Sequence, residues 1–242
     1  MKERITAIVL SGGSGKRMGT DVPKQYLEIL GRPVLYYSLK AFADSQAVDD
    51  IVLVAGRGDI PYCRKEIVEK WELPKVRRIV EGGRERYDSV YEGLKAADGA
   101  AYVLIHDGAR PLVTGDVIAA SIRAAREYGA CVAGMPVKDT IKVADREHFA
   151  ADTPDRATLW QIQTPQTFSR PLIWSAYQQM KLMEEQRPEE WSCMHITDDA
   201  MVAETFANAK VKLIPGGYEN MKITTPEDMI LAEALLRNRE KP

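Results

Sequence analysis

Short, almost wholly apolar runs recur along this chain with longer helical segments between them, and this alternation restricts the fold more than any other feature. Residues 5–10 (ITAIVL), 50–55 (DIVLVA), 76–80, 102–105 (YVLI) and 131–137 read as strands. A run without polar alternation is a strand covered on both faces. The spacing of apolar residues predicts helices over 34–42, 60–71, 87–97 and 116–128. Strand alternating with helix implies an α/β fold, a mainly parallel sheet with helices on both faces. Ligands of such sheets bind beyond the carboxyl ends of the strands, where the loops gather.

The rhythm breaks after residue 137. Residues 138–158 are polar, with short apolar pieces on either side of Asp145-Arg146-Glu147, and read as a protruding β-arm. A lone hairpin is marginal in water, so an arm needs a surface to lean on. Residues 170–187 read as a helix, 188–192 as a loop, a short helix follows from about Asp198, and 211–214 is a late strand. The last helix has a marked start: Thr225 as cap, Pro226 in the first turn, then Glu227 and Asp228. With 242 residues the chain is expected to be one domain, 1–242, with the arm at about 138–158, large enough to fold without disulfides.

Composition narrows the partners. Lys plus Arg number 33 against 35 Asp plus Glu, a net charge of -2, which argues against a general nucleic-acid or polybasic membrane binder. Cys63, Cys131 and Cys193 lie far apart with no metal-ligand spacing, as expected of reduced thiols in a cytoplasmic protein. The apolar run after Met1-Lys2-Glu3-Arg4 ends at Ser11-Gly12-Gly13, too short for a signal-peptide core or a membrane span.

The first strand runs into Ser11-Gly12-Gly13-Ser14-Gly15-Lys16-Arg17-Met18. Glycines let backbone amides approach a phosphate closely. The stretch is not a Walker loop, because Arg17 follows Gly15-Lys16 and Leu10 holds the first position. Nor is it a dinucleotide fingerprint, because Met18 stands where the third small residue belongs. What remains is a glycine loop holding Arg17, with Pro23-Lys24-Gln25 shortly after. Cations beside a phosphate-sized pocket suit phosphoryl or nucleotidyl transfer, which is mostly positioning and neutralisation of charge. The bland alternative is a tight strand-to-helix turn with solvated basic residues.

That loop with Pro23-Lys24-Gln25-Tyr26 resembles the signature of the sugar-nucleotide and polyol-phosphate nucleotidyltransferases, and more narrowly the methylerythritol-phosphate cytidylyltransferase family of the non-mevalonate isoprenoid pathway. The likeness continues in order through Gly82-Gly83-Arg84-Glu85-Arg86 with Asp88-Ser89-Val90, His106-Asp107-Gly108-Ala109-Arg110-Pro111, Val137-Lys138-Asp139-Thr140, Arg156, Thr164-Pro165-Gln166, Thr197-Asp198-Asp199-Ala200 and Asn220-Met221-Lys222-Ile223-Thr224. Each motif is moderately specific; the ordered set is highly specific.

The resemblance implies a Rossmann-like fold and transfer of a cytidylyl group from CTP to a polyol phosphate with release of pyrophosphate. It makes Arg17 and Lys24 the transition-state stabilisers, and Arg156 and Lys222 the residues that hold the acceptor phosphate. Gly12, Gly13, Gly15, Gly82, Ser89 and Asp107 fall on the nucleotide side, with Gly83 beside them, and Arg110 and Thr140 on the acceptor side. Asp107, just past a strand, suits a ribose hydroxyl or a magnesium ion that leans mainly on substrate phosphates. In that family the arm crosses to a second subunit, so a homodimer is implied. Residue by residue, the alternatives are a solvated Lys222, a helix-capping Asp107, and an Arg110 ion-paired to Asp107.

His106 ends a strand and reads as structural. No acid–base dyad is needed, since a phosphate monoester is already nucleophilic at neutral pH. A ribitol 5-phosphate cytidylyltransferase is the nearest alternative, and an NAD-linked oxidoreductase lacks its fingerprint. Gly108 stands where the family commonly has alanine, and residues 184–196 form a longer link than the family leads one to expect.

Overall fold

The computed structural model describes residues 3–13 and 22–239. In chain order the strands are β1 (Ile5–Ser11), β2 (Glu28–Ile29), β3 (Arg32–Pro33), β4 (Asp50–Ala55), β5 (Val76–Glu81), β6 (Tyr102–Asp107), β7 (Ala130–Pro136), β8 (Val143–Ala144), β9 (Ala150–Asp152), β10 (Trp160–Ser169) and β11 (Lys212–Pro215). The α-helices are α1 (Val34–Asp44), α2 (Ile60–Tyr62), α3 (Arg86–Ala96), α4 (Gly115–Tyr128), α5 (Arg170–Gln186), α6 (Pro188–Ser192), α7 (Asp199–Ala207) and α8 (Pro226–Arg239).

Seven strands form the central sheet in the order β11-β7-β10-β6-β1-β4-β5. β1 lies parallel to β4 and β6, β4 to β5, and β11 to β7, whereas β10 runs antiparallel to both β6 and β7. The fold is therefore α/β and Rossmann-like, mostly parallel with one reversed strand.

Alternation along β1 explains its unbroken apolar sequence. Ala7 and Val9 face a core built with Leu35, Leu39 and Phe42 of α1 and Ile118 and Ile122 of α4. Ile8 faces the other core, with Val90 and Leu94 of α3, Tyr177 of α5 and Val202 of α7. Successive side chains of a strand point to opposite faces, so a strand covered twice must be apolar throughout. A smaller core of Ile29, Val34, Leu112, Ile223, Ala232 and Leu236 lies under α8.

Helix α3 approaches β1 and β4 closely because of one glycine. A Cβ on Gly93 would stand 2.5 Å from Ile8 Cγ2 and 3.1 Å from Val54 Cγ2. These are stiff β-branched side chains that cannot swing aside. Gly93→Ala gains about 1 kcal/mol of helix propensity but loses roughly 1–3 kcal/mol to overpacking. A net loss of about 1 kcal/mol is expected, read as a fall in melting temperature of roughly 2–4 °C.

Two expectations are corrected. Residues 188–192 are not a loop but the helix α6, with Pro188 in its first turn and acidic Glu189 and Glu190 beside it, a standard helix start. The ten-residue strand β10 has no counterpart among the expected strands. The helix expected over 60–71 is α2 continued by a wider π-helical turn, Cys63–Glu69. Within the arm, β8 and β9 pair with each other as a two-stranded sheet, and Val143 and Phe149 on it are exposed.

Candidate active site

The carboxyl ends of β1, β4, β5 and β6 end level with one another: Leu10 is opposite Asp107, Ser11 opposite Ala55, and Ala55 opposite Glu81. The segments that leave them enclose an open cleft of about 390 Å³. Gly12 and Gly13 form one wall, Gly83 to Arg86 and Ser89 another, and Lys24, Asp107 and Lys222 also line it.

Each wall is tied down by backbone hydrogen bonds. Lys24 sits in a single 3-10 turn, Lys24–Tyr26. In the same turn the buried Gln25 donates through Nε2 to the Ser11 carbonyl at 2.6 Å, and the Tyr26 hydroxyl donates to Asp59 Oδ2 at 2.9 Å. Gly82 donates its N–H to the Ala55 carbonyl at 2.8 Å. Ser89 Oγ accepts from the Gly83 N–H at 3.2 Å and donates to the Glu85 carbonyl at 3.2 Å. A Cβ at Gly82 would come within 2.6 Å of that Oγ, so this turn requires glycine. Lys222 is held beside the end of β6 because the next residue, buried Ile223, donates its N–H to the Ala109 carbonyl at 2.8 Å.

Asp107 is the electrostatic centre. Its Oδ1 faces Arg86 Nε at 3.4 Å. Its Oδ2 faces Lys222 Nζ at 2.9 Å and Arg110 Nε at 3.7 Å. Burial acts to raise its pKa, but the charges of Arg86, Lys222 and Arg110 outweigh burial and hold the carboxyl well below the usual carboxylate range. Arg86 is gripped from behind: its Nη1 and Nη2 donate to the two oxygens of Asp199 at 3.0 and 2.8 Å. Asp199 is fully buried, accepts from the Tyr177 hydroxyl at 2.6 Å, and its N–H donates to Gln166 Oε1 at 3.0 Å.

His106 is structural by its bonding. The Arg110 carbonyl, 3.2 Å from Nε2, can only accept, so Nε2 carries the proton. Nδ1 then accepts from the Thr164 hydroxyl at 2.9 Å, and Thr164 Oγ1 accepts the Asp107 N–H at 3.1 Å. Every hydrogen in this chain is used with the ring neutral. Burial, aided by the nearby Arg110 and Lys222 charges and opposed by Asp107, pushes the His106 pKa down from 6.5 to about 4. Between those values the unfolded chain takes a proton that the folded chain refuses. Stability therefore rises with pH in that window and is lost on acidification, by about 3 kcal/mol below pH 4. Denaturant midpoints followed from pH 7 downward check this, and His106→Gln should flatten the slope.

The sequence-derived residues fall into four groups. Gly12, Gly13, Lys24, Ser89, Asp107 and Lys222 meet at the cleft, with Gly83, while Gly82 stands one residue back. Arg110 turns away from the opening, onto Asp107 and onto the Asn220 carbonyl, which accepts from its Nη1 at 2.8 Å. Thr140 and Arg156 sit exposed on and beside the arm, where Arg156 Nη1 donates to the Lys138 carbonyl at 2.9 Å. Arg17 and Gly15 lie outside the described residues. Gln25, Arg86 and Asp199 carry no role in the sequence reading. For Arg86 there was a signal: it opens α3, where a cation opposes the helix dipole and needs a compensating partner.

A divalent cation would find one carboxylate in this cleft wall besides Glu85, and Asp107 is already shared among three cationic side chains. Among the described residues, no cluster of three or more His, Cys, Asp or Glu could hold a metal ion. Such a donor set fits an ion that arrives on a polyphosphate and touches the protein through Asp107. No helix among the described residues is long and apolar enough to cross a membrane.

Comparison with known proteins extends the picture over nearly the whole chain. The family model described as "IspD: 2-C-methyl-D-erythritol 4-phosphate cytidylyltransferase" matches residues 5–238. A protein of that name from Lachnospira eligens is 51% identical over 233 residues, 96% of this chain and 99% of its own. One from Clostridium botulinum is 50% identical over 232 residues, with 96% and 99% covered. Among solved structures, 4-diphosphocytidyl-2C-methyl-D-erythritol synthase from Anaerococcus prevotii superposes with a TM-score of 0.81 at 36% identity, covering 97% of this chain and 96% of that one. The 2-C-methyl-D-erythritol 4-phosphate cytidylyltransferase of Thermus thermophilus gives a TM-score of 0.74 at 28% identity, with 95% and 98% covered.

Proposed function

The chain belongs to the family of 2-C-methyl-D-erythritol 4-phosphate cytidylyltransferases, and from that premise we propose how its residues carry the reaction. It is a nucleotidyltransferase that joins CTP and 2-C-methyl-D-erythritol 4-phosphate to give 4-diphosphocytidyl-2-C-methyl-D-erythritol and pyrophosphate, in the non-mevalonate isoprenoid pathway. An oxygen of the acceptor phosphate attacks the α-phosphorus of CTP, the bond to the bridging oxygen breaks, and pyrophosphate leaves. Both reactants are anions, so the barrier is dominated by repulsion and by charge that builds on the transferring group.

In our reading Arg17 and Lys24 neutralise that charge. Lys222, and Arg156 from a second subunit, hold the acceptor phosphate in line, with Thr140 completing the acceptor side, while Arg110 stays on Asp107 and the Asn220 carbonyl instead of the acceptor. The amides of Gly12, Gly13 and Gly15 receive the triphosphate. Gly82, Gly83 and Ser89 hold the cytosine, whose amino group is a donor where uracil offers a carbonyl. Asp107 takes the ribose or a magnesium ion. When bound, that ion supplies further neutralisation of the phosphates. One observation carries the reading: Lys24, Ser89, Asp107 and Lys222, from four separate stretches of sequence, line one cleft.

We further read the chain as a single-domain cytoplasmic homodimer joined through the arm. Free thiols at Cys63, Cys131 and Cys193 suit a reducing compartment. The test is pyrophosphate release with each of the four nucleoside triphosphates and with methylerythritol 4-phosphate or ribitol 5-phosphate as acceptor. Turnover is expected with CTP and methylerythritol 4-phosphate; turnover with ribitol 5-phosphate alone would overturn the assignment.

A further inference from the structure

The proposed mechanism asks Lys222 to grip the acceptor phosphate, yet its ammonium lies 2.9 Å from Asp107 Oδ2. The lysine must leave or share that carboxylate before it can serve the acceptor. Asp107 is buried, and a buried carboxylate stripped of its partner is costly, so departure is easy only if other cations stay behind. Two do. Arg110 is tied through Nη1 to the Asn220 carbonyl at 2.8 Å. Arg86 is held harder, by the two-point bond to Asp199 at 3.0 and 2.8 Å.

The anchoring of Asp199 shows where this grip originates. Its Oδ1 takes the Tyr177 hydroxyl at 2.6 Å, and Gln166 Oε1 receives the N–H groups of Asp199 and Ala200 at 3.0 and 2.9 Å. Arg86 thus belongs to α3, but its guanidinium is fixed from α5, α7 and β10. Planar bidentate pairing fixes direction as well as distance. It leaves Nε aimed at Asp107 Oδ1 at 3.4 Å. The two oxygens of Asp107 are in this way divided, Oδ1 to the locked Arg86 and Oδ2 to the more exposed Lys222.

We propose that Arg86 and Asp199 are a positioning pair: Asp199 locks Arg86 against Asp107, and the locked Arg86 keeps Asp107 compensated so that Lys222 can transfer to the acceptor phosphate. The inference rests on the role of Lys222 given above. Without Arg86, Asp107 holds Lys222 more tightly and acceptor binding suffers selectively.

The experiment compares Arg86→Met, Arg86→Lys and Lys222→Ala by steady-state kinetics, with CTP binding measured separately by calorimetry. For Arg86→Met the KM for the acceptor rises about ten-fold or more, while the CTP dissociation constant stays within about three-fold. Arg86→Lys, which restores the charge but not the two-point grip, recovers part of the loss. If Arg86→Met fails to fold because Asp199 is left buried and unpaired, Arg86→Met with Asp199→Asn removes both charges together and gives the same split. An unchanged acceptor KM in a folded Arg86 variant, or parallel rises for acceptor and CTP, overturns the pair. An unchanged acceptor KM in Lys222→Ala overturns the role of Lys222 itself and the inference with it.

Discussion

Lys24→Ala is expected to lower kcat by about 10²- to 10³-fold while leaving the melting temperature within a few degrees of the parent. The kinetic loss follows from the nature of the reaction. CTP and the acceptor phosphate are both anionic, and in-line attack adds charge to the α-phosphoryl group. A fixed cation at the cleft wall acts where a cleft partly excludes water, and removing one such group costs about 3–4 kcal/mol of transition-state stabilisation. The stability of the variant follows from the local bonding. The turn that carries Lys24 is held by its neighbours, through Gln25 Nε2 to the Ser11 carbonyl and the Tyr26 hydroxyl to Asp59. Lys24→Arg keeps the charge but changes its reach, and falls between the two. Pyrophosphate release at saturating substrates, beside a thermal melt, measures both quantities. Near-normal turnover in a folded Lys24→Ala variant would remove Lys24 from the mechanism.

The parts of this fold that can be read from sequence are those whose environment is uniform. β1 and β4 are covered on both faces, so burial writes itself into almost wholly apolar runs, ITAIVL and DIVLVA. β10 carries no such mark. Its sequence, WQIQTPQTFS, is polar and contains a proline. It becomes a strand because β6 and β7 flank it on both sides, and Pro165 falls where its pairing with β7 shifts between Ile162 and Gln166. Sheets admit proline at such irregularities, but only the pairing reveals that one is there. The cleft divides in the same way. Its glycines, Lys24, Ser89, Asp107 and Lys222 sit in recognisable stretches. The bond between Arg86 and Asp199 spans 113 positions and is a fact of packing: two charges meet because α3 and α7 lie on the same face of the sheet. Residues 184–196 are similar. Their polar composition reads as a link, yet Trp191 of α6 packs edge-on against Tyr87, with ring centroids 5.4 Å apart, behind the turn that carries Arg86.

Mixed dimers should regain activity that neither parent variant has. Arg156 stands beside the arm and Lys24 in the cleft of the same chain. If each arm completes the partner's cleft, Lys24→Ala and Arg156→Ala homodimers are both nearly inactive, because every site in them lacks one cation. In a mixed dimer one site collects both lesions, and the other pairs an intact Lys24 with an intact Arg156. Random exchange makes half of all dimers mixed, each with one good site of two, so the mixture should recover about a quarter of the parent activity. Physical reasons favour the crossing. Among the described residues β8 and β9 pair only with each other, and such a hairpin is marginal unless something covers it. Ile141, Val143 and Phe149 on the arm are 39, 47 and 67% exposed, an apolar set that a second subunit would shield. Co-expressing the two variants under separate affinity tags, purifying the doubly tagged dimer and measuring pyrophosphate release gives the answer. The doubly tagged species alone should show about half the parent activity. Activity no higher than that of either variant would mean that Arg156 serves its own chain or none, and would end the dimeric reading of the site.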